Sequence, residues 1–380
     1  MRYRTLLIRR KIEEIPPDQL QRFIEVQEAF RRWATEWCQS GFKTPLPQQN
    51  PLRQLARYLK FGMAVVKHHC PKEEGKIWNV PLIFDVQLRV DGERDMSRGV
   101  FIDLTRGEVR IRRLCETIVL KLKKSSIKWI KERIEEGGKP VLAMAWVGRP
   151  RRSNLVTFNV ALVFAREVAP IEMRRVLVVD LNALHNGVAI ATIEGERILQ
   201  RGTLRPDLRL IEMLQKEISR LESLCAKRGE PYCTQFVAAQ SRLYRLLRKF
   251  EDEAAKKIVR LARQYKALIV VDAPKDESLR EIKQSRYDPS KKIYLNVGRL
   301  KKRIERLAEW YGVPYSETRL YSTICPRCGF KMKELPGRKM RCPKCGFEAH
   351  RDEVPSLWAA KRFSELISSF SSSAIALAVF

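Results

Sequence analysis

No stretch of this sequence is apolar for long enough to cross a bilayer. The opening residues, MRYRTLLIRRKIEE, hold no signal-like apolar core, and the most apolar segment elsewhere, AIALAVF at 374–380, falls far short of the roughly twenty residues a span requires. Acidic residues are scarce: 44 Asp and Glu stand against 74 Lys and Arg in 380 residues, a net charge of +30. The excess is spread through both halves of the chain, which excludes a basic tail as its source. A chain so charged repels itself, and a polyanionic partner relieves the repulsion while releasing counterions. Nucleic acid leads as that partner, with an anionic membrane surface or a generally basic proteome as the alternatives. Regular cysteine spacing is also lacking outside one place. Of nine cysteines, Cys38, Cys70, Cys115, Cys225 and Cys233 follow no pattern. That argues for a reducing compartment and one metal site over a disulfide framework. The expectation is a soluble, cytoplasmic protein that does not enter the membrane.

The length accommodates two or three domains. Residues 1–173 are predicted to be a β-rich domain with a helical insertion at about 15–75. It opens with the strand YRTLLIRR, followed by a helix over 18–38 whose Phe23, Phe30, Trp33 and Trp37 recur at helical spacing, and by a second helical pattern in LRQLARYLKFGMAVVKHH. Strand patterns then run from about 81 to 168, with one helix near 126–136. From 174 the pattern changes. RRVLVVDLN, GVAIATI and ERILQRGTL read as three strands, two helices cover 207–228 and about 234–264, KALIVVDAP is a further buried strand, and 296–311 is a helix. Arg299, Lys301, Lys302, Arg303 and Arg306 on that last helix read as a solvated face. A cysteine cluster fills 322–350, a closing helix spans about 353–367, and 368–380 reads as a flexible tail.

The one doubled motif is C-P-x-C-G-F, at 325–330 and 342–347. In each copy two thiolates reach one ion across a tight turn, and glycine lets the backbone amides approach the sulfurs. Cys325, Cys328, Cys342 and Cys345 together complete a tetrahedral site with no open position, so the metal is structural. Zinc is expected, with rubredoxin-like iron as the alternative, because four thiolates do not by themselves select the metal. His350 is surplus to that set.

Three aspartates carry the other chemistry. Asp180 and Asp272 each end a run of buried β-branched residues, VLVVD and LIVVD, at the carboxyl ends of strands where α/β sheets bind ligands. Asp352 precedes the last helix. Convergent carboxylates suit two Mg2+ ions, which need hard oxygen ligands and act on phosphodiesters as a pair. Each residue also has a plain structural reading: Asp272 as a turn at a strand end, and Asp352 as a helix cap.

VVDLNALHNGVAIATI, LIVVDAP, YSTICPRCG, RKMRCPKCG and HRDEVPSLWAA together resemble the nuclease portion of the TnpB family, transposon-encoded relatives of the type V CRISPR effectors. The match is strongest over about 174–365. The resemblance implies an α/β RNase H-like (RuvC) nuclease core over 174–321, an inserted zinc ribbon over 322–350 and a closing segment over 351–367. The N-terminal domain would be a wedge-like β-barrel carrying a helical recognition insertion. It implies an RNA-guided DNA endonuclease of a mobile element, with guide RNA and double-stranded DNA as partners. Asp180, Asp272 and Asp352 would be its catalytic Mg2+ ligands. Two positions depart from the family pattern: Asp272 stands where glutamate is usual, with Glu277 nearby, and Val354 and Pro355 stand where Asn and Ala are usual. A nuclease-inactive RNA- and DNA-binding repressor, or a guide-independent DNA-binding transposition protein, are the alternative functions.

Overall fold

The computed structural model of the chain describes residues 1–48, 52–53, 55–56, 81–89, 99–112, 117–148, 155–169, 171–181, 187–230, 233–272 and 297–368. Two compact units are present, Met1–Glu167 and Val168–Phe380.

The first unit contains β1 (Arg2–Lys11), α1 (Pro17–Gln39), β2 (Leu82–Phe84), β3 (Val86–Arg89), β4 (Val100–Asp103), β5 (Glu108–Ile111), β6 (Ile118–Lys121), α2 (Lys124–Glu135), β7 (Lys139–Gly148) and β8 (Thr157–Arg166). Its strands form two ladders among the described residues, in the orders β1-β8-β7-β2 and β3-β4-β5-β6, a coarser result than the barrel expected. Helix α1 buries Phe23, Phe30 and Trp37, as its periodicity predicts. It is also fastened by one polar residue. Gln27 Nε2 donates to the carbonyl of Val147 at 3.2 Å and Oε1 accepts the N–H of the same residue at 2.7 Å, so a buried amide imitates a strand partner. Most of the expected helical insertion beyond α1 lies outside the described residues.

The second unit follows with β9 (Arg175–Leu181), β10 (Val188–Glu194), β11 (Arg197–Leu204), α3 (Leu208–Lys227), α4 (Thr234–Gln264), β12 (Ala267–Asp272), α5 (Val297–Tyr311), β13 (Tyr315–Thr318), β14 (Lys333–Leu335), β15 (Lys339–Arg341), β16 (Glu348–His350) and α6 (Val354–Lys361). Five strands form one mixed sheet in the order β11-β10-β9-β12-β13. β10 runs antiparallel to both β9 and β11, whereas β12 is parallel to both β9 and β13. β14, β15 and β16 form a separate small sheet that carries the cysteines.

The central strands β9 and β12 carry continuous apolar runs, Val176–Val179 and Ala267–Val271, because helices cover both faces. On one face Leu177, Val179, Ile269 and Val271 pack with Ile258 of α4 and Ile304 of α5. On the other, Val176, Val178, Leu268 and Val270 pack with Ala359 and Ala360 of α6 and with Leu366. Strand alternation therefore places the next residue of the second series, Asp180 on β9 and Asp272 on β12, on the α6 face. The last described pair in the β9–β12 register is Val179 with Val271, so the two aspartates are the next residues at the carboxyl ends of these neighbouring strands.

Two expectations change here, and one strand is added. Arg299 is not merely solvated: it forms a two-pronged ion pair with Glu251, a carboxylate only 2% exposed. β13 escapes a pattern-based reading because Tyr-Ser-Glu-Thr is polar, and it forms only because β12 offers it a parallel edge. The cysteines outside the knuckles are not all reduced. Cys225, in the last turn of α3, and Cys233, at the start of α4, are joined in a disulfide with Cα atoms 5.9 Å apart, and Cys38 is disulfide-bonded as well. An antiparallel helix pair with a short connection brings the first two within bridging distance, which spacing alone does not reveal.

Ile304 is fully buried between α5 and the sheet. Ile304→Ala should cost about 3 kcal/mol, seen as a lower midpoint in denaturant or thermal unfolding of the second unit; a loss below about 1 kcal/mol would show that the α4–α5 contact is not a close-packed core.

Candidate active site and metal centre

The two knuckles are built alike. The N–H of Cys325 donates to the carbonyl of Phe330 and that of Gly329 to Cys325, and the same pair of bonds links Cys342 with Phe347 and Gly346 with Cys342. Gly329 and Gly346 have φ values of 73° and 70°, a left-handed conformation that costs glycine nothing and any other residue about 1 kcal/mol or more. The four sulfurs of Cys325, Cys328, Cys342 and Cys345 lie within 4.8 Å of one another, and the Cys325–Cys345 and Cys328–Cys342 pairs are 3.5 and 3.4 Å apart. A tetrahedron with Zn–S bonds of about 2.3 Å needs spacings of this size, so the residues fit a structural Zn2+. Burial opposes ionisation of Cys342, but the N–H groups of Cys345 and Lys344 and the Cys328 thiol outweigh it and hold the Cys342 thiol down at about 7. The N–H of Phe347 favours the Cys345 thiolate, yet desolvation and the three other thiols push that group up to about 12. A dication between the sulfurs removes this conflict. His350 is not in the cluster.

The ribbon is bolted to α6. Val354 is fully buried against Cys325, Cys342, Met332 and Met340. The Trp358 indole N–H donates to the carbonyl of Ile324 at 2.8 Å, and Lys361 Nζ donates to that of Pro326 at 2.9 Å. This explains an apolar residue at 354: its side chain is part of the ribbon's core. Pro355 falls in the first turn, where a missing N–H is harmless.

A cavity of about 250 Å³ lies on the α6 face of the sheet. Asp180, only 8% exposed, and Asp352 both line it, together with Arg201, Arg205, His350 and Glu353. Asp352 does not cap α6. The cap position is held by Glu353, whose side chain makes no capping bond; it instead pairs with Arg201 at 2.8 Å. The Asp352 carboxylate is engaged by Arg338 of the ribbon and lies 3.7 Å from His350 Nδ1. Asp272 is absent from the lining, and its Oδ1 accepts the N–H of Leu320 at 2.7 Å. Thus two of the three expected acids share one cavity, while the third, at the carboxyl end of the neighbouring strand, has a backbone partner. Glu277 lies outside the described residues. Arg201, Arg205, Arg338 and Glu353 were not expected at the site. Arg201 lies within the predicted strand ERILQRGTL, whereas Arg205 follows the end of β11, where strand alternation does not assign a face.

Residues 298–357 match the family model described as Cas12f1-like, TNB domain. Among solved structures, the chain is similar to a Cas12f1–sgRNA–target DNA complex, with 11% identity over 90% of this chain and 81% of that one and a TM-score of 0.53. A CRISPR-Cas12f ternary complex aligns over the same shares at 11% identity, with a TM-score of 0.34. CasPhi-2 (Cas12j) bound to crRNA aligns at 12% identity over 67% of this chain and 61% of that one, with a TM-score of 0.37. The first similarity shows a shared fold. No curated protein matches the sequence. The resemblance to type V effectors is borne out in the fold and over the ribbon-bearing segment. No helix among the described residues is long and apolar enough to cross a membrane.

Two outcomes follow. Cys342→Ser should lower bound zinc, measured by elemental analysis, well below one per chain and reduce thermal stability, because ribbon folding and metal binding are one process. Asp272→Ala should leave the N–H of Leu320, a residue 2% exposed, without this acceptor and cost about 1–3 kcal/mol in unfolding experiments. An unchanged midpoint would remove the structural role of Asp272.

Proposed function

We propose that this chain is an RNA-guided, Mg2+-dependent DNA endonuclease of a mobile element, with its reaction centre in the cavity that Asp180 and Asp352 share. The observation that carries the reading is the convergence of those two carboxylates, from the end of β9 and the start of α6, in one cavity on one face of the sheet. In this reading the five-stranded sheet with its flanking helices is an RNase H-like (RuvC) core over 174–321, closed by 351–367, and the ribbon over 322–350 is an insertion. The N-terminal domain, over 1–173, is a wedge-like barrel with a helical recognition insertion. Guide RNA and double-stranded DNA are the partners, in keeping with the net charge of +30 and with the Cas12f1–sgRNA–target DNA complex whose fold the chain shares. Base pairing would then read the target, and the protein would read backbone shape.

Asp180 and Asp352 would hold Mg2+ through carboxylate oxygens, the donors that hard cations select, with Asp272 assisting from the adjacent strand. A carboxylate has about four lone-pair sites, so the bond from Leu320 does not exhaust Asp272. When bound, a pair of such ions stabilises the attacking and leaving oxygens of a phosphodiester and acidifies the attacking water. The chain's own work is placement. β9 fixes Asp180 by burial, and α6 fixes Asp352 by being anchored to both sheet and ribbon. Arg338 orients the Asp352 carboxylate from the ribbon side, and the near-complete burial of Asp180 excludes bulk water from one wall.

A second reading has a specific observation behind it. The oxygens of Asp352 and Asp272 already have partners in Arg338 and Leu320, as suits a nuclease-inactive repressor that still binds RNA and DNA. The test is to purify the chain with its co-bound RNA and assay a matched DNA target with Mg2+. The native complex should cleave, and Asp180→Ala should slow cleavage on the order of a thousandfold with target binding unchanged. Tight target binding without cleavage by the native complex would leave the repressor. Absence of co-purifying RNA would remove the guided reading altogether.

A further inference from the structure

The cavity has a second wall, and it is cationic. β11 is the exposed edge strand of the sheet. Its register pairs Thr203 with Ala189 and Arg201 with Ala191, and β10 in turn pairs Ala189 with Asp180 and Ala191 with Val178. Residues directly opposite one another project to the same face of a sheet, so Arg201, Thr203, Ala189, Ala191 and Asp180 all face α6. Arg205 follows at the end of the strand and lines the same cavity. The cross-section is a trough. Two alanines form a low floor on β10, Asp180 stands on the β9 side and Arg201 on the β11 side, and Asp352, Pro355 and Ser356 bound the space from the α6 side. Strands two apart in a sheet are separated by roughly 10 Å, room for a sugar-phosphate chain between the two walls.

We propose that Arg201 and Arg205 seat the phosphates of the strand to be cut, and that Glu353 holds Arg201 in position until a phosphate replaces it. This rests on the nuclease reading. Three facts carry it. Arg201 and Glu353 are 42% and 39% exposed, and an ion pair so open to water is worth about 0–1 kcal/mol, little enough for a phosphate to displace. Guanidinium groups bind phosphate through two parallel N–H bonds. The arginines are four residues apart, one on β11 and one just past its end, and up to about 13 Å of chain separates them, so each would meet a different phosphate along the bound strand.

The test uses the full chain with its co-purified RNA. In an Asp180→Ala background, binding of a short single-stranded DNA is measured against salt concentration. Arg201→Gln and Arg205→Gln should each make the slope of log affinity on log salt shallower by about 0.7, and Arg201→Lys should restore it. With Asp180 intact, each glutamine variant should cleave a matched target about tenfold to a hundredfold more slowly. Glu353→Gln should leave the slope unchanged or steeper, whereas a purely structural Arg201–Glu353 pair would make both partners' variants bind more weakly. Unchanged slopes in the arginine variants would overturn the proposal even if cleavage fell. Changed slopes with no cleavage by the native complex would uphold the strand-seating wall and reject the nuclease reading.

Discussion

The burial of one short helix between two different hydrophobic cores governs the geometry around the carboxylates. Helix α6 has eight residues, and an isolated helix of that length does not persist in water. It exists because Ala359 and Ala360 press on Val176, Val178, Leu268 and Val270 of the sheet, while Val354 enters the core of the ribbon. Its polar anchors point the same way: Trp358 and Lys361 both donate to carbonyls that flank the first knuckle. Small residues on the sheet side permit close approach, and larger ones on the ribbon side fill its core. Asp352 lies two residues before this helix, so its position is a consequence of both contacts at once.

The other acids are placed by the parity of strands. In β9 and β12 every residue but those at the strand ends is buried, which removes the usual alternation of apolar and polar residues and leaves orientation to be read from neighbours. Once Val178 and Val270 are seen to face α6, Asp180 and Asp272 must face it too. The same parity applied across β10 turns alanines into a floor and sets Arg201 beyond it. Asp180 and Arg201 thus stand on opposite sides of that floor, Glu353 reaches Arg201 from the start of α6, and Arg338 holds Asp352 from the ribbon.

Much of this was legible in the sequence because long apolar periodicities dominate it. The strands around Asp180 and Asp272 and the helices α3, α4 and α5 stand where their patterns put them, since each buries a continuous face. The ribbon was legible for a different reason: metal coordination fixes spacing, and spacing survives in a linear string. What the string did not disclose depends on neighbours distant in sequence. β13 is polar and needs β12 to become a strand. The Cys225–Cys233 bond needs the helical hairpin. Asp352 read equally well as a helix cap, and only the placement of Arg338 and Glu353 decides otherwise.

The way Val354 and Trp358 are shared has a meaning for how such a protein can be cut and recombined. By strand boundaries the ribbon is a cassette that ends at β16, yet two of its core and anchoring contacts come from the helix that follows. A cassette exchanged at that boundary would arrive without the hydrophobic plug that closes it, and would leave behind a helix shaped for a different lid. The transplantable unit runs through Lys361. It therefore carries the third acid with it, so a change of ribbon is unavoidably also a change to the cavity.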